Sequence, residues 1–411
     1  MIMKQVIELR VDAHLDAFSV QHQAREYYYH RLVPAIEKIF DELSSDDEVI
    51  SIDKLEIDLG NLGWKNDVFA LDEAALHEIL KESLKKSFER PSPVPINISR
   101  RTPEENACLQ WLFYMENGVL PWEIASTDTK WHEKVLHQLA VDHHLIEKTK
   151  KLIINNHWFL NRIIREHEEI FLKKLTEVIT AKQQQDLWET IRQSDNAIRT
   201  KTRIWGAILS SVAAGEKEVN IQKALLSKAG PATQESPIEH KEVVEGIYCQ
   251  FAGILLLHPF FKHLFSRLQL LEDGKFKDEL SRHKAIVLLY FIATGKTEGK
   301  DYQLAVPKIL CGLPLHEVLT EESFMLTSAE KEEALNMMYA AIDQWTIIHN
   351  TSPDGLREGF LMREGKVLLN ETNIQFRITS NAIDVLLDHL PWNLSLIKLP
   401  WLNELIRVEW R

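Results

Sequence analysis

Cysteine is scarce in this chain of 411 residues: only Cys108, Cys249 and Cys311 occur, far apart and without a Cys-x-x-Cys. That spacing excludes a disulfide framework and a paired-cysteine zinc site. The three are expected as reduced thiols inside a core. Basic charge is also short, with 48 Lys and Arg against 61 Asp and Glu and a formal net charge of −13. The balance argues against general nucleic-acid binding, which needs a basic footprint. Glycine and proline number only 15 and 14, and no tract is of low complexity. With 45% hydrophobic residues, a chain disordered throughout is excluded. Long apolar runs are missing too. The most apolar stretch, Phe251 to Phe261, is about half of a bilayer span and contains His258 and Pro259. The first residues, Met1-Ile2-Met3-Lys4-Gln5-Val6, carry no apolar run of signal-peptide length. A cytoplasmic protein without a membrane span is expected.

What is present reads as α+β and predominantly α-helical, in three regions. Residues 1–90 form a small α+β domain. Ile7, Leu9 and Val11 alternate with charged residues, as do Leu55, Ile57 and Leu59 before Gly60, and both runs have the period of a half-buried strand. Ala24, Tyr28, Leu32, Ile36, Phe40 and Leu43 recur at helical spacing, with Pro34 predicting a kink. A further amphipathic helix covers 71–88. Pro91-Ser92-Pro93-Val94-Pro95 is a linker. Residues 98–227 read as nearly all helix. They start at Thr102-Pro103, turn at Gly118 to Trp122, and continue through 131–144, 145–156, 159–180, 184–194 and 198–213. A second linker, Lys228 to Pro237, leads to a C-terminal region, 239–411. Helices are expected there at about 240–258, 260–271, 279–294 and 329–349. It closes in β structure: Ile374, Phe376 and Ile378 alternate with polar residues, with 367–369 as hairpin partner, and Ile406, Val408 and Trp410 alternate likewise.

Chemistry-bearing motifs are few. Gly295-Lys296-Thr297 suggests a phosphate loop, but position 290 is Tyr290 where the loop needs glycine, and a helix precedes it. It reads as a helix-end turn. The 17 histidines are scattered, and Arg165-Glu166-His167-Glu168-Glu169 lacks the second histidine of a zinc-protease helix. Asp354 and Glu358 fit the first turn of a helix capped by Ser352 with Pro353 at its start. No metal, cofactor or catalytic constellation is expected, and no enzyme.

The last twenty residues stand out. Trp392, Trp401 and Trp410 are evenly spaced, and two of them follow proline. Large amphipathic rings at a chain end imply that the end is tied down. Either they pack on the domain's own helices, or Trp392, Trp401 and Trp410 with Pro400, Ile406 and Val408 dock a partner.

Several landmarks in order resemble one family. They are Leu55-Glu56-Ile57-Asp58-Leu59-Gly60, Gly118-Val119-Leu120-Pro121-Trp122, Ala252-Gly253-Ile254-Leu255-Leu256-Leu257-His258-Pro259, Lys308-Ile309-Leu310-Cys311-Gly312-Leu313-Pro314, Ser352-Pro353-Asp354-Gly355 and Leu390-Pro391-Trp392 with the tail behind it. The chain is thus similar to the tape measure proteins of bacterial contractile injection systems, phage-tail-like particles. The family's second tryptophan after Trp122 is Glu123 here. The resemblance implies a structural protein working by protein–protein binding in tube assembly or length determination. Its partners would be tube, baseplate or other particle proteins, or a second copy of the chain. An adaptor or chaperone for tube or effector proteins, absent from the mature particle, is the alternative.

Overall fold

A computed structural model of the chain describes residues 23–43, 48–52, 63–65, 68–70, 77–82, 98–121, 129–182, 201–215, 246–369 and 373–410. The strands expected at 7–11 and 55–59, the helix at 184–194 and both linkers lie outside the described residues, as does most of the helix at 71–88. The chain divides into two compact units, Met1–Cys108 and Leu109–Arg411.

In the first unit a wide π-helical turn, Tyr28–Leu32, runs into the helix Val33–Leu43. Pro34 has no N–H to offer the preceding turn, and the widening falls where that bond is missing. Tyr28, Leu32, Ile36 and Ile39 form the buried stripe, with Leu80 from a helical segment at 77–82 packed against it. Strand β1 (Val49–Ile52) is antiparallel to a later strand, with Val49 opposite Arg101 and Ile52 opposite Ile98. Between them lies a small hairpin of β2 (Gly63–Lys65) and β3 (Val68–Ala70). The partner of β1 is β4 (Ile98–Arg101). Residues 98–101 are extended, and the helix Pro103–Asn117 begins where it was expected, behind the cap of Thr102, whose hydroxyl accepts from Glu105 N at 3.1 Å.

The second unit opens with helices separated by capping residues. Thr129–Val141 ends where the Asp142 carboxylate accepts from His144 N and Leu145 N and starts His143–Asn155. Asn156 then caps His157–Glu166 by accepting from Phe159 N at 3.0 Å. The sequence predicted one helix over 159–180. The chain instead turns extended at His167 and Glu168 before Glu169–Thr180, and the His167 ring is buried. Lys201–Ala213 completes this layer.

Beyond it, β5 (Ile247–Cys249) and a 3-10 turn, Ala252–Leu257, stand where a helix over 240–258 was expected. Three features stop an α-helix there. Phe251 is left-handed (φ 60°), Gly253 packs so closely that a Cβ would overlap the Phe360 carbonyl oxygen, and Pro259 starts the next helix, His258–Arg267. Asp273 and Gly274, both with positive φ, turn the hairpin of β6 (Leu271–Glu272) and β7 (Lys275–Phe276). The helix Glu279–Thr294 is the centre of the core, buried continuously from Ala285 to Ala293. A 3-10 turn Asp301–Leu304, the helix Ala305–Cys311 and the helix Ser328–Gln344 pack around it. The sheet has the order β10-β11-β9-β8-β5, with β8 (Gly365–Leu369), β9 (Asn373–Ile378), β10 (Leu396–Ile397) and β11 (Leu405–Glu409). The hairpin expected at 367–378 is present, β8 antiparallel to β9. β11 runs parallel to β9 with Ile406 beside Ile374 and Val408 beside Phe376, so the alternating apolar residues of both strands share the core face.

Candidate functional site

The aromatic tail is pinned to its own unit at three places. Trp392 Nε1 donates to the Leu256 carbonyl at 2.9 Å, and its ring meets Phe260 edge-on at 5.1 Å. Trp401 Nε1 donates to the Leu310 carbonyl at 2.7 Å, between the rings of Phe265 and Phe276. Trp410 Nε1 donates to Asp384 Oδ2 at 3.1 Å. Asp384 is itself buried. Its other oxygen accepts from Arg363 Nη2 at 3.0 Å, and Oδ2 also takes Asn381 N at 2.6 Å. All three indole donors are thus satisfied within the chain, as buried aromatics require.

Of the six residues singled out in the tail, Ile406, Val408 and Trp410 are buried, Trp392 and Trp401 are half-buried and Pro400 is exposed. β11 lies between β9 and β10, so its backbone has no free edge. What this region offers to the outside is a shallow depression lined by Leu387, Leu390, Trp392, Leu394 and Trp410 together with the polar Asp388, Asn393 and Ser395. Ile383, Val385 and Leu396 add exposed apolar side chains from the flanking turn and from β10.

A second constellation was not foreseen. Arg162, Asp301 and Lys308 are fully buried together. Arg162 Nε donates to Asp301 Oδ2 at 2.8 Å, and its terminal nitrogens reach the Met115 and His316 carbonyls at 2.5 Å each. Lys308 Nζ donates to Asp301 Oδ1 at 2.8 Å and to the Leu315 and Glu317 carbonyls. Glu166 accepts from Tyr114 Oη at 2.8 Å and from Asp301 N at 2.9 Å. Burial opposes the Asp301 carboxylate, but Lys308, Arg162 and Arg165 outweigh it and hold it below the usual carboxylate range. Burial, aided by Arg162 and Arg165, lowers Lys308 to about 8 against the pull of Asp301. Burial beside Glu166 and Asp301 pushes Tyr114 well up. Arg162, Asp301 and Lys308 each have their partners inside the molecule, so the cluster orients elements. Its sequence signal was a charge inside an apolar run: Arg162 between Leu160 and Ile163-Ile164, and Lys308 between Val306 and Ile309-Leu310.

Gly118 ends its helix at φ 75° against this cluster, and an added Cβ would overlap the Leu315 carbonyl oxygen and crowd Arg162 and Asp301. Gly118→Ala is expected to cost about 2–4 kcal/mol, from left-handed strain plus overpacking, as read by urea unfolding.

Next to the cluster, His167 accepts from Trp111 Nε1 at 3.0 Å through Nε2, and its Nδ1 lies 2.9 Å from the Ile163 carbonyl. Only the neutral ring with its proton on Nδ1 satisfies both. Burial first, then the neighbouring His132, hold its pKa well below the ordinary value. The unfolded chain therefore binds a proton that the folded one refuses. Stability from this site is full above an unfolded pKa of about 6.5 and falls as the pH drops below it. His167→Gln is expected to flatten the decline in urea midpoint between pH 7 and pH 5.

The remaining sequence candidates resolve locally. Gly295 is the left-handed C-cap of Glu279–Thr294, and Lys296 N bonds the Thr294 hydroxyl. Ser352 caps the turn Pro353–Leu356, and Asp354 pairs with Arg357 at 2.6 Å. The three cysteines are buried, and burial raises Cys249 to about 12. Among the described residues no group of three or more His, Cys, Asp or Glu could hold a metal ion, and no helix is long and apolar enough to cross a membrane.

Compared with protein-family models, the chain matches the contractile injection system tape measure protein over residues 1–236 and 216–410. Neither the curated proteins nor the solved structures gave a match.

Proposed function

The chain belongs to the contractile injection system tape measure protein family, and from that premise we propose that it works as a folded structural protein in assembly of the injection tube. It would act by binding tube, baseplate or other particle proteins, and would influence tube length by binding rather than by its own extension. The observation that carries the folded reading is the second unit. Among the described residues its helices are at most 17 residues long and broken by caps, and those beyond Ile247 close on one core together with the C-terminal sheet. The half-buried faces of Trp392 and Trp401, exposed Pro400 and the apolar side chains around the depression support a docking role for the tail. Ile406, Val408 and Trp410 would serve by holding that surface in shape. The three regions 1–90, 98–227 and 239–411 remain our proposed functional segments, incorporated in the particle after synthesis in the cytoplasm.

The test is a strain lacking the gene. Loss of particles, or tubes of scattered length in electron micrographs, is expected; unchanged yield and length would overturn the proposal. Mass spectrometry of purified particles separates the particle component from a chaperone. Stoichiometric presence supports the former, and complete absence with lost assembly supports the latter.

A further inference from the structure

The buried charges sit at a joint inside the second unit. On one side lie the helices His157–Glu166 and Lys201–Ala213; on the other lie the turn Asp301–Leu304, the helix Ala305–Cys311 and the segment to Phe324. Arg162 and Arg165 cross it to Asp301, Lys300 crosses to the Glu166 carbonyl, and Thr202 bonds Glu321. Arg165 also stacks over Phe324 at 4.2 Å. The C-terminal core has a different character. Among the described residues its buried members run from Ile247 to Trp410, joined only by Val119 from earlier in the chain. The helical layer contributes charges and carbonyl contacts to this joint, together with Tyr114 edge-on to Tyr302 at 5.7 Å, whereas its own apolar residues, such as Phe159 and Phe171, surround Trp111.

We propose that this joint is a reversible ionic latch, from which the helical layer swings away as a folded body about the left-handed turn at Gly118. The chemistry favours opening without unfolding. Charged groups leaving a joint gain hydration, so the exposed faces remain compatible with water, unlike the two halves of an apolar core. Asp301 is the keystone, since its single carboxylate pairs with Arg162, Lys308 and Arg165 at one point. Val119, buried in the C-terminal core just beyond Gly118, would stay as the anchor of the hinge. The inference does not depend on the particle role.

The experiment is native-state hydrogen exchange on the full chain in low denaturant. Amides at the joint, Asp301 above all, are expected to exchange through a shared opening about tenfold faster, or more, than those of Ile286–Ile292 and Leu172–Leu175. A single opening free energy common to joint and cores would overturn the latch. Asp301→Asn supplies the second arm, read by small-angle scattering. It is expected to enlarge the radius of gyration while both cores keep their protection, whereas Arg162→Met with Asp301→Leu and Lys308→Met stays as compact as the parent. An Asp301→Asn chain as compact as the parent, or one that loses both cores together, would equally overturn it.

Discussion

Ending the chain after Glu404 is expected to abolish the folded C-terminal unit. The deletion removes β11, an interior strand whose loss strips β9 of one neighbour and β10 of its only one. Ile406 and Ile397 are wholly buried, and Val408 and Trp410 nearly so. At about 1.5–3 kcal/mol per buried side chain the three that are removed, Ile406, Val408 and Trp410, represent roughly 4.5–9 kcal/mol. A domain of this kind has a net stability of about 5–15 kcal/mol, so the loss consumes most of it. Asp384 also loses the indole donor that faces it. The expected readout is a collapsed near-UV circular dichroism signal and no cooperative urea transition. Trp410→Phe isolates the polar part. It keeps most of the buried ring but removes the N–H, and a cost of about 1–3 kcal/mol is expected. A truncated chain with the parent's urea midpoint would show that the tail is not part of the fold.

The tail was legible because its pattern is local. Alternation at 374–378 and 406–410 identifies half-buried strands wherever they pair. Their parallel pairing was not legible, since nothing local states that β11 returns beside β9. The apolar run from Ala252 to Leu257 misled for a related reason. It is buried on every side, so it has no period to separate a helix from tighter turns, and the Phe251 conformation and the Gly253 contact that decide the matter depend on distant partners. The helix breaks at Asp142 and Asn156 follow cap chemistry, and both fell at or close to an expected boundary. The charge cluster was the least legible feature. Arg162 and Asp301 are 139 positions apart, and neither alone names its partner. Burial turns them into a pair, and burial of this kind is a property of the packed chain.

Lengthening the chain should leave the tube as it was. Gly215 offers the place for the test: it lies just past the helix Lys201–Ala213, and a side chain there would meet nothing within 4 Å. Inserting fourteen helical residues after it adds about 21 Å to a chain that measures by its own helical length, and twenty-eight add about 42 Å. A wholly helical chain of 411 residues would reach about 600 Å, but only by giving up the core around Glu279–Thr294 and the sheet beside it. The apolar area hidden in that core makes such extension far more costly than leaving the unit folded. Electron micrographs of particles carrying the two insertions are therefore expected to show the parent's tube length. Tubes that grow in step, near 1.5 Å per added residue, would mean that the unit unfolds in the particle and that its extended length is what counts. An unchanged length together with scattered tubes in the deletion strain would place the control of length in what the folded chain binds.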